Sequence, residues 1–290
     1  MSHIVNSVAS HAAMPTDCFD LRAVEDAIVG TEFAGRLHHV ALTTSTIDLA
    51  LAAAQSGERH GVWFADEQTV GRGRGGHAWH STPDEGLYMT ALISPAVPMQ
   101  SALSLSMQVA IAVQSAIVSV AGFCRKDQID IRWPNDLLLN GRKCVGILID
   151  TASNSATPSQ PAMLRYATLG IGINVNQTVF PAELESIATS LRRERPEPSQ
   201  PLRREPLAAA VLLALDEEIR RLSAPVPDDS RDLTQFSSWI CGKRVRVEAR
   251  DDDPGGYTGI TAGLDPSGFL RVNGDDGQLH TVLSGGLREP

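Results

Sequence analysis

At 290 residues the chain is long enough for one large domain and a small second one, and its 42% apolar and 20% charged content is ordinary for a globular protein. The formal net charge of −9 argues against a nucleic-acid surface as the main business, while leaving room for a local basic pocket. Cys18, Cys124, Cys144 and Cys241 are scattered without C-x-x-C spacing, which suits reduced thiols in a cytoplasmic protein, and no signal-peptide pattern opens the sequence.

In chain order, residues 1–37 read as an extension with a short helix between Phe19 and Ile28, capped by Asp20. It is too short for a DNA-reading helix-turn-helix module. His39–Thr43 predicts a strand and Ile47–Gln55 a helix. Between them Ser45 and Thr46 either cap the helix or, with its free N–H groups, hold a ligand oxygen. Gly61–Ala65 and Leu87–Ile93 predict further strands. The run Gly86–Phe123 contains no charged residue, but Ser104, Ser106, Gln108, Gln114, Ser115 and Ser119 recur through it. That pattern predicts a buried helix over Ser101–Gly122 of an α/β protein and not a membrane span.

Between the second and third strands lies Asp66–Trp79, with four glycines and two arginines inside Gly71–Gly76. Glycines allow close backbone approach, and guanidinium forks suit phosphate and carboxylate oxygens. The loop satisfies G-x-G-x-x-G but is followed by His77-Ala78-Trp79 and a strand, not the helix that a dinucleotide site requires. No Gly-Lys-Ser/Thr of a Walker loop is present. The reading is a mobile loop over an anionic small molecule, against that of an ordinary surface turn. His77 and His80 have no Cys or acid cluster to complete a metal set, so no metal-ligating residue is assigned.

Farther on, Ile129–Trp133 predicts a strand ended by Pro134-Asn135-Asp136, and Asn140-Gly141 predicts a hairpin before a strand over Lys143–Ile149. Thr151–Gln160 reads as a polar loop. Tyr166–Val175 reads as a strand with Gly170 and Gly172 on one face, where something should pack closely. Phe180–Leu191 reads as partly helical, Arg192–Glu205 as an exposed connection, and Leu207–Leu222 as an amphipathic helix. Ser223–Asp229 marks a boundary, after which turn clusters at short spacing predict four or five strands of a small β domain.

Four blocks occur in order: Ser45-Thr46 before a helix; Gly71–Gly76; Arg132-Trp133-Pro134-Asn135-Asp136 with Lys143 and Gly146-Ile147-Leu148; and Gly170-Ile171-Gly172-Ile173-Asn174-Val175-Asn176. Together with Ala188-Thr189-Ser190-Leu191 they closely resemble the biotin–protein ligases. The resemblance covers about residues 38–290. It implies an α+β fold, a mixed sheet packed with helices in a catalytic domain at 38–222, and a small SH3-like β-barrel at 235–290. It also implies ATP with Mg²⁺, biotin as substrate, a biotin carboxyl carrier protein as partner, and a possible homodimer without DNA or membrane binding.

By motif, the resemblance implies that Ser45, Thr46, Ile47 and Gln68 line the biotin pocket. It puts Arg72, Gly73 and Arg74 over the carboxylate and phosphate, and Trp79 on the adenylate side. Asn135 would meet phosphates or metal, Asn174 would reach the nucleotide, and Lys143 would stabilise charge at the carboxylate and α-phosphate. Arg74 and Lys143 are thus the implied catalytic pair. Three positions depart from the usual pattern: Arg132 where lysine is usual, Gly75 where a second arginine is common, and Ile47 where asparagine is frequent. The readings left open are a lipoate–protein ligase with the same chemistry, and a non-catalytic biotin- or nucleotide-binding regulator.

Overall fold

The computed structural model describes residues 19–99, 102–123, 127–154, 161–195, 200–224, 231–248, 256–283 and 286–290. Cys18, Cys124, most of the expected 151–160 loop, the 225–230 boundary and the Asp253–Gly255 turn lie outside the described residues.

A seven-stranded mixed sheet forms the centre. From one edge its order is β1 (Leu37–Thr43), β2 (Gly61–Gln68), β3 (Gly86–Ile93), β7 (Leu164–Asn174), β6 (Arg142–Ser153), β5 (Asp136–Leu139) and β4 (Ile129–Arg132). Only β1 and β2 run parallel, joined by helix α2 (Thr46–Gln55). The Asn140-Gly141 hairpin between β5 and β6 has both residues at positive φ, 49° and 81°, as a type I′ turn requires.

Alternation along β7 divides the sheet into two faces. Leu169, Ile171 and Ile173 are buried in the main core beneath helices α3 (Ala102–Ala121) and α5 (Arg204–Leu222). Ile111 and Ile117 of α3 are fully buried there, each worth roughly 1.5–3 kcal/mol. Ser104–Ala121 is apolar and long enough to cross a membrane, yet α3 packs against α5, β4, β5 and β6 as the core helix that the sequence predicts. Gly170 and Gly172 face the other way, toward α2 and the glycine loop.

The short helix α1 (Leu21–Ala27) is capped as expected, with Ala23 N donating to Asp20 Oδ1 at 3.1 Å. The C-terminal residues form a five-stranded antiparallel sheet. Its order is β11 (Leu279–Val282), β10 (Leu270–Gly274), β9 (Tyr257–Leu264), β8 (Cys241–Val247) and β12 (Leu287–Arg288). It is tied to the large sheet through Ser237 Oγ donating to Ile131 O and Trp133 Nε1 donating to Gly268 O.

Three expectations need correction. Thr151–Ser153 continue β6 instead of starting a loop, because their backbone pairs with β7 as far as Ser153↔Leu164. Residues 182–187 form turns, Ala188 bridges β6, and only a single helical turn, α4 (Leu191–Glu194), follows. Arg204 and Glu205 are buried at the start of α5 and are not part of an exposed connection. The Arg204 guanidinium donates to Asp66 Oδ1 and Gly86 O at 3.3 Å each, and Glu205 accepts from Asp20 N. Burial of these charges is tolerated because each is paired.

Candidate active site

Ser45 ends β1's connection and caps α2, its Oγ accepting from Ile47 N at 3.3 Å. The capping reading of that hydroxyl is therefore correct, and Ser45 also does more. Its Oγ donates to Gln68 Oε1 at 3.4 Å, and Thr46 donates to the same oxygen from both N (3.0 Å) and Oγ1 (3.2 Å). Thr46 Oγ1 also meets Thr90 Oγ1 at 2.8 Å, and Gln68 Nε2 donates to Ser81 Oγ at 3.2 Å. Ser45 and Thr46 are buried, so this is a preorganised set of polar groups at a helix N-terminus. Ile47 turns its side chain onto Gly170, whose added Cβ would lie 2.6 Å from Ile47 Cδ1. The contact at position 47 is thus apolar.

The glycine loop is a small hairpin. Arg72 bridges Ala78, Gly73 N donates to His77 O at 2.7 Å, and Trp79 N donates to Gly71 O at 2.8 Å. Its tip, Arg74–Gly76, is a 3-10 turn with Gly75 at φ +62° and Gly76 at φ +79°. A second arginine at position 75 would sit in the left-handed region that favours glycine. Arg72 spans two acids, Asp48 of α2 at 3.3 Å and Asp150 of β6 at 3.4 Å. Arg74 donates to Asn135 Oδ1 at 3.2 Å, and Asn135 Nδ2 in turn donates to Ile147 O at 2.6 Å.

Trp79 lies on a floor made of two glycines. A Cβ on Gly146 or Gly172, which pair across β6 and β7, would come within 2.6 Å of its indole. This is the close packing that the alternate glycines of β7 foretell. The indole Nε1 is buried and has no hydrogen-bond partner among the described residues. Lys143 Nζ stands 5.6 Å from the ring centroid.

A bulge aims Lys143. The β5–β6 register shifts between Leu137↔Val145 and Leu138↔Lys143, so Cys144 is an extra residue in β6. Cys144 and Val145 both enter the core, and Lys143 is thereby turned to the Gly146 face, its Cε 3.4 Å from where a Cβ on Gly146 would sit. Burial pushes the Cys144 thiol up out of reach of ionisation near neutral pH. Lys143 Nζ bonds Asp136 Oδ1 at 2.6 Å, and Arg132 takes Asp136 Oδ2 at 2.7 Å. Burial alone would raise the Asp136 pKa, but the Lys143 and Arg132 charges outweigh it and hold the carboxyl below its ordinary value.

Asn174, at the end of β7, is buried and donates to Thr189 O at 3.0 Å, while Thr189 N donates to Lys143 O at 2.9 Å. Lys143 N donates to Ile187 O, so residues 187–189 run beside β6 as a short parallel bridge. Asn176 pins Leu202 through both its amide oxygen and nitrogen.

All eleven anticipated residues thus line or support one face of the sheet. Ser45, Thr46, Ile47 and Gln68 surround one end, and Arg72, Gly73, Arg74 and Trp79 form its roof. Asn135, Lys143 and Asn174 close the other end. The polar side chains on this face that sequence reasoning did not single out are Asp136, Thr90 and the Asp48–Asp150 pair. Two consecutive buried positions, Cys144 and Val145, were the available signal for the bulge.

The Biotin/lipoate A/B protein ligase family matches residues 39–164, and the Biotin protein ligase C terminal domain matches residues 240–285. The biotin–[acetyl-CoA-carboxylase] ligase of Mycobacterium tuberculosis is 32% identical over 92% of this chain and 94% of its own length. The bifunctional ligase/repressor BirA of Bacillus subtilis is 34% identical over 73% of this chain, which spans 61% of that protein. In fold, the chain is similar to the biotin protein ligase from Aquifex aeolicus solved with biotin and ATP. The TM-score is 0.68 at 24% identity, over 88% of this chain and all of that one. The two domain matches in sequence order and the near-full-length relative establish that this chain belongs to the biotin protein ligases, within the biotin/lipoate A/B protein ligase family.

Proposed function

We propose that the chain activates biotin with ATP and transfers it to a lysine of a biotin carboxyl carrier protein. One observation carries this reading: the Lys143 ammonium and the Arg74 guanidinium converge on the Asn135-Asp136 turn, on the same sheet face as the Ser45–Thr46–Gln68 polar cluster. A cluster of polar groups at one end and cations at the other suits a molecule with a ureido group and a carboxylate. The activity of the Mycobacterium tuberculosis relative and the biotin and ATP held by the Aquifex aeolicus protein support the same assignment.

In the first step a biotin carboxylate oxygen bonds to the α-phosphorus and the bond to pyrophosphate breaks. Charge builds on the phosphoryl oxygens, where Lys143 and Arg74 would stabilise it in a partly dry site. In the second step a carrier lysine amine attacks the acyl carbon, AMP leaves with the bonding electrons, and the nitrogen loses a proton. The acyl phosphate is sensitive to water, and the Gly71–Gly76 hairpin would exclude it. Asn174 would face the nucleotide after releasing Thr189 O. Among the described residues no group of three His, Cys, Asp or Glu side chains could hold a metal, so Mg²⁺ would ride mainly on the phosphates, with Asn135 nearby.

The test is pyrophosphate release with Mg-ATP and biotin, lipoate or no acid, followed by mass analysis of a biotin carrier domain. Release with biotin alone and a mass gain on the carrier are expected. Release with lipoate instead would move the substrate assignment to lipoate. Biotin binding without release would make the chain a regulator.

A further inference from the structure

Lys143 raises a problem of charge. It is bound to Asp136, and a closed lysine–aspartate pair is neutral toward an incoming anion. Yet the proposed reaction brings a carboxylate and a triphosphate to this point. Arg132 removes the contradiction. Its NH2 takes Asp136 Oδ2, the oxygen that Lys143 does not use. Two cations share one carboxylate, and the trio carries a net charge of +1. The Asp136 side chain is only 16% exposed and that of Arg132 14%, so these charges are poorly screened.

Arg132 is itself held from behind. Its Cζ stands 5.9 Å from the centroid of the Trp239 ring, which is buried. Lys243 Nζ is 4.9 Å from the same ring, and it pairs with Glu289. The nearest competing acid on β4, Asp130, accepts from Ser238 N and Oγ and is not paired with Arg132. Thus the segment leading into the C-terminal sheet fixes the guanidinium so that Asp136 is its carboxylate.

We propose that Arg132 is a positioning residue of the adenylation site: fixed against Trp239, it occupies one oxygen of Asp136, so that Lys143 is held through the other and the cluster stays net positive. The inference deepens the ligase reading and rests on it. It says that Arg132 acts through Asp136 and never touches the reacting atoms.

The test is a double-mutant cycle on the full-length protein, with Arg132→Met, Arg132→Lys, Asp136→Asn and the Arg132→Met/Asp136→Asn pair. Arg132→Met leaves a neutral Lys143–Asp136 pair and should lower kcat/KM for pyrophosphate release by about tenfold or more, carried by the KM of biotin and ATP. Arg132→Lys keeps the charge and should stay within about threefold of wild type. The double variant restores the net charge of +1 and should recover most of the loss. A merely structural Arg132 would make the double variant as poor as Arg132→Met, or poorer, and that result would overturn the proposal.

A second readout does not depend on turnover. Labelling of Lys143 by acetic anhydride at fixed pH, followed by peptide mass spectrometry, should slow by about threefold or more in Arg132→Met and recover in the double variant, because an undivided carboxylate holds the ammonium more tightly. If wild type releases no pyrophosphate, the ligase reading fails. The labelling rates then decide the electrostatic role alone, and unchanged rates would refute it.

Discussion

Replacing Gly172 with alanine should damage the site more than the fold. The added Cβ would lie 2.6, 2.7 and 3.0 Å from Trp79 Cε2, Nε1 and Cζ2. Carbon contacts are comfortable at about 3.5–4.0 Å, so the indole must lift by about 1 Å. Trp79 is half-buried and sits at the foot of a surface hairpin, so it can lift. The stability cost should therefore lie near the lower end of the roughly 1–3 kcal/mol typical of overpacking. Activity has less tolerance, because the roof of the site and the Lys143 contact move with the ring, and a misplacement of about 1 Å can cost about 10²-fold. The assay pairs urea unfolding with pyrophosphate release, using Gly170→Ala as the contrast. At Gly170 the Cβ would meet the buried Ile47 side chain at 2.6 Å and the backbone Leu148 O at 3.2 Å, which cannot swing aside, and the stability loss should be the larger of the two. Trimming the obstacle with Trp79→Leu should restore the stability lost in Gly172→Ala but not its activity, because the indole itself is part of the roof. A Gly172→Ala enzyme with wild-type kinetics would refute the idea that this floor sets the position of Trp79.

Other outcomes follow from the same geometry. Lys143→Ala should cut adenylate formation by about 10²-fold or more while leaving Asp136 paired with Arg132, so the unfolding midpoint near pH 7 should change little; a near-normal rate would remove Lys143 from its role. Arg74→Gly deletes the hairpin's bond to Asn135 and should let the activated acyl group escape, read as labelling of unrelated lysines; unchanged leakage would mean that the hairpin is not a lid. Asp136 has a depressed pKa, so its stabilising contribution is complete above the ordinary value of 3.8 and is lost as pH falls through the lower, folded-state value. Urea unfolding of wild type and Asp136→Asn across this acid range should show a steeper acid loss in wild type, and parallel curves would show that the pairing contributes nothing.

Much of the architecture was legible because β strands and buried helices leave period-2 and apolar patterns. The alternation at 167–174, the Asn-Gly turn and the charge-free helix all map directly onto the fold. What stayed hidden depended on partners distant in sequence. Arg204 looked solvated because the acid that pairs with it, Asp66, lies 138 residues away. Thr151–Ser153 looked like loop because small polar residues satisfy a strand only when a neighbour such as β7 is present. In the candidate site the motif residues could be named, but their connections could not. That Gln68 gathers Ser45 and Thr46, that Trp79 occupies the glycine floor, and that Cys144 bulges to turn Lys143 are all consequences of tertiary register.

The short bridge between Lys143 and residues 187–189 bears on timing. Lys143 is gripped through both its N–H and its carbonyl, so its backbone is a fixed pivot, while its side chain is 35% exposed. Moving the ammonium from Asp136 to a substrate oxygen then needs no backbone movement, only loss of the Asp136 contact and torsional hops of the half-buried lysine stem, which side chains make on the picosecond-to-nanosecond scale once free. Closure of the glycine hairpin, if it acts as the proposed lid, would fall on the slower nanosecond-to-microsecond scale of loops. In the proposed reaction the lysine would therefore arrive before the hairpin closes, and its own motion would not limit the first step.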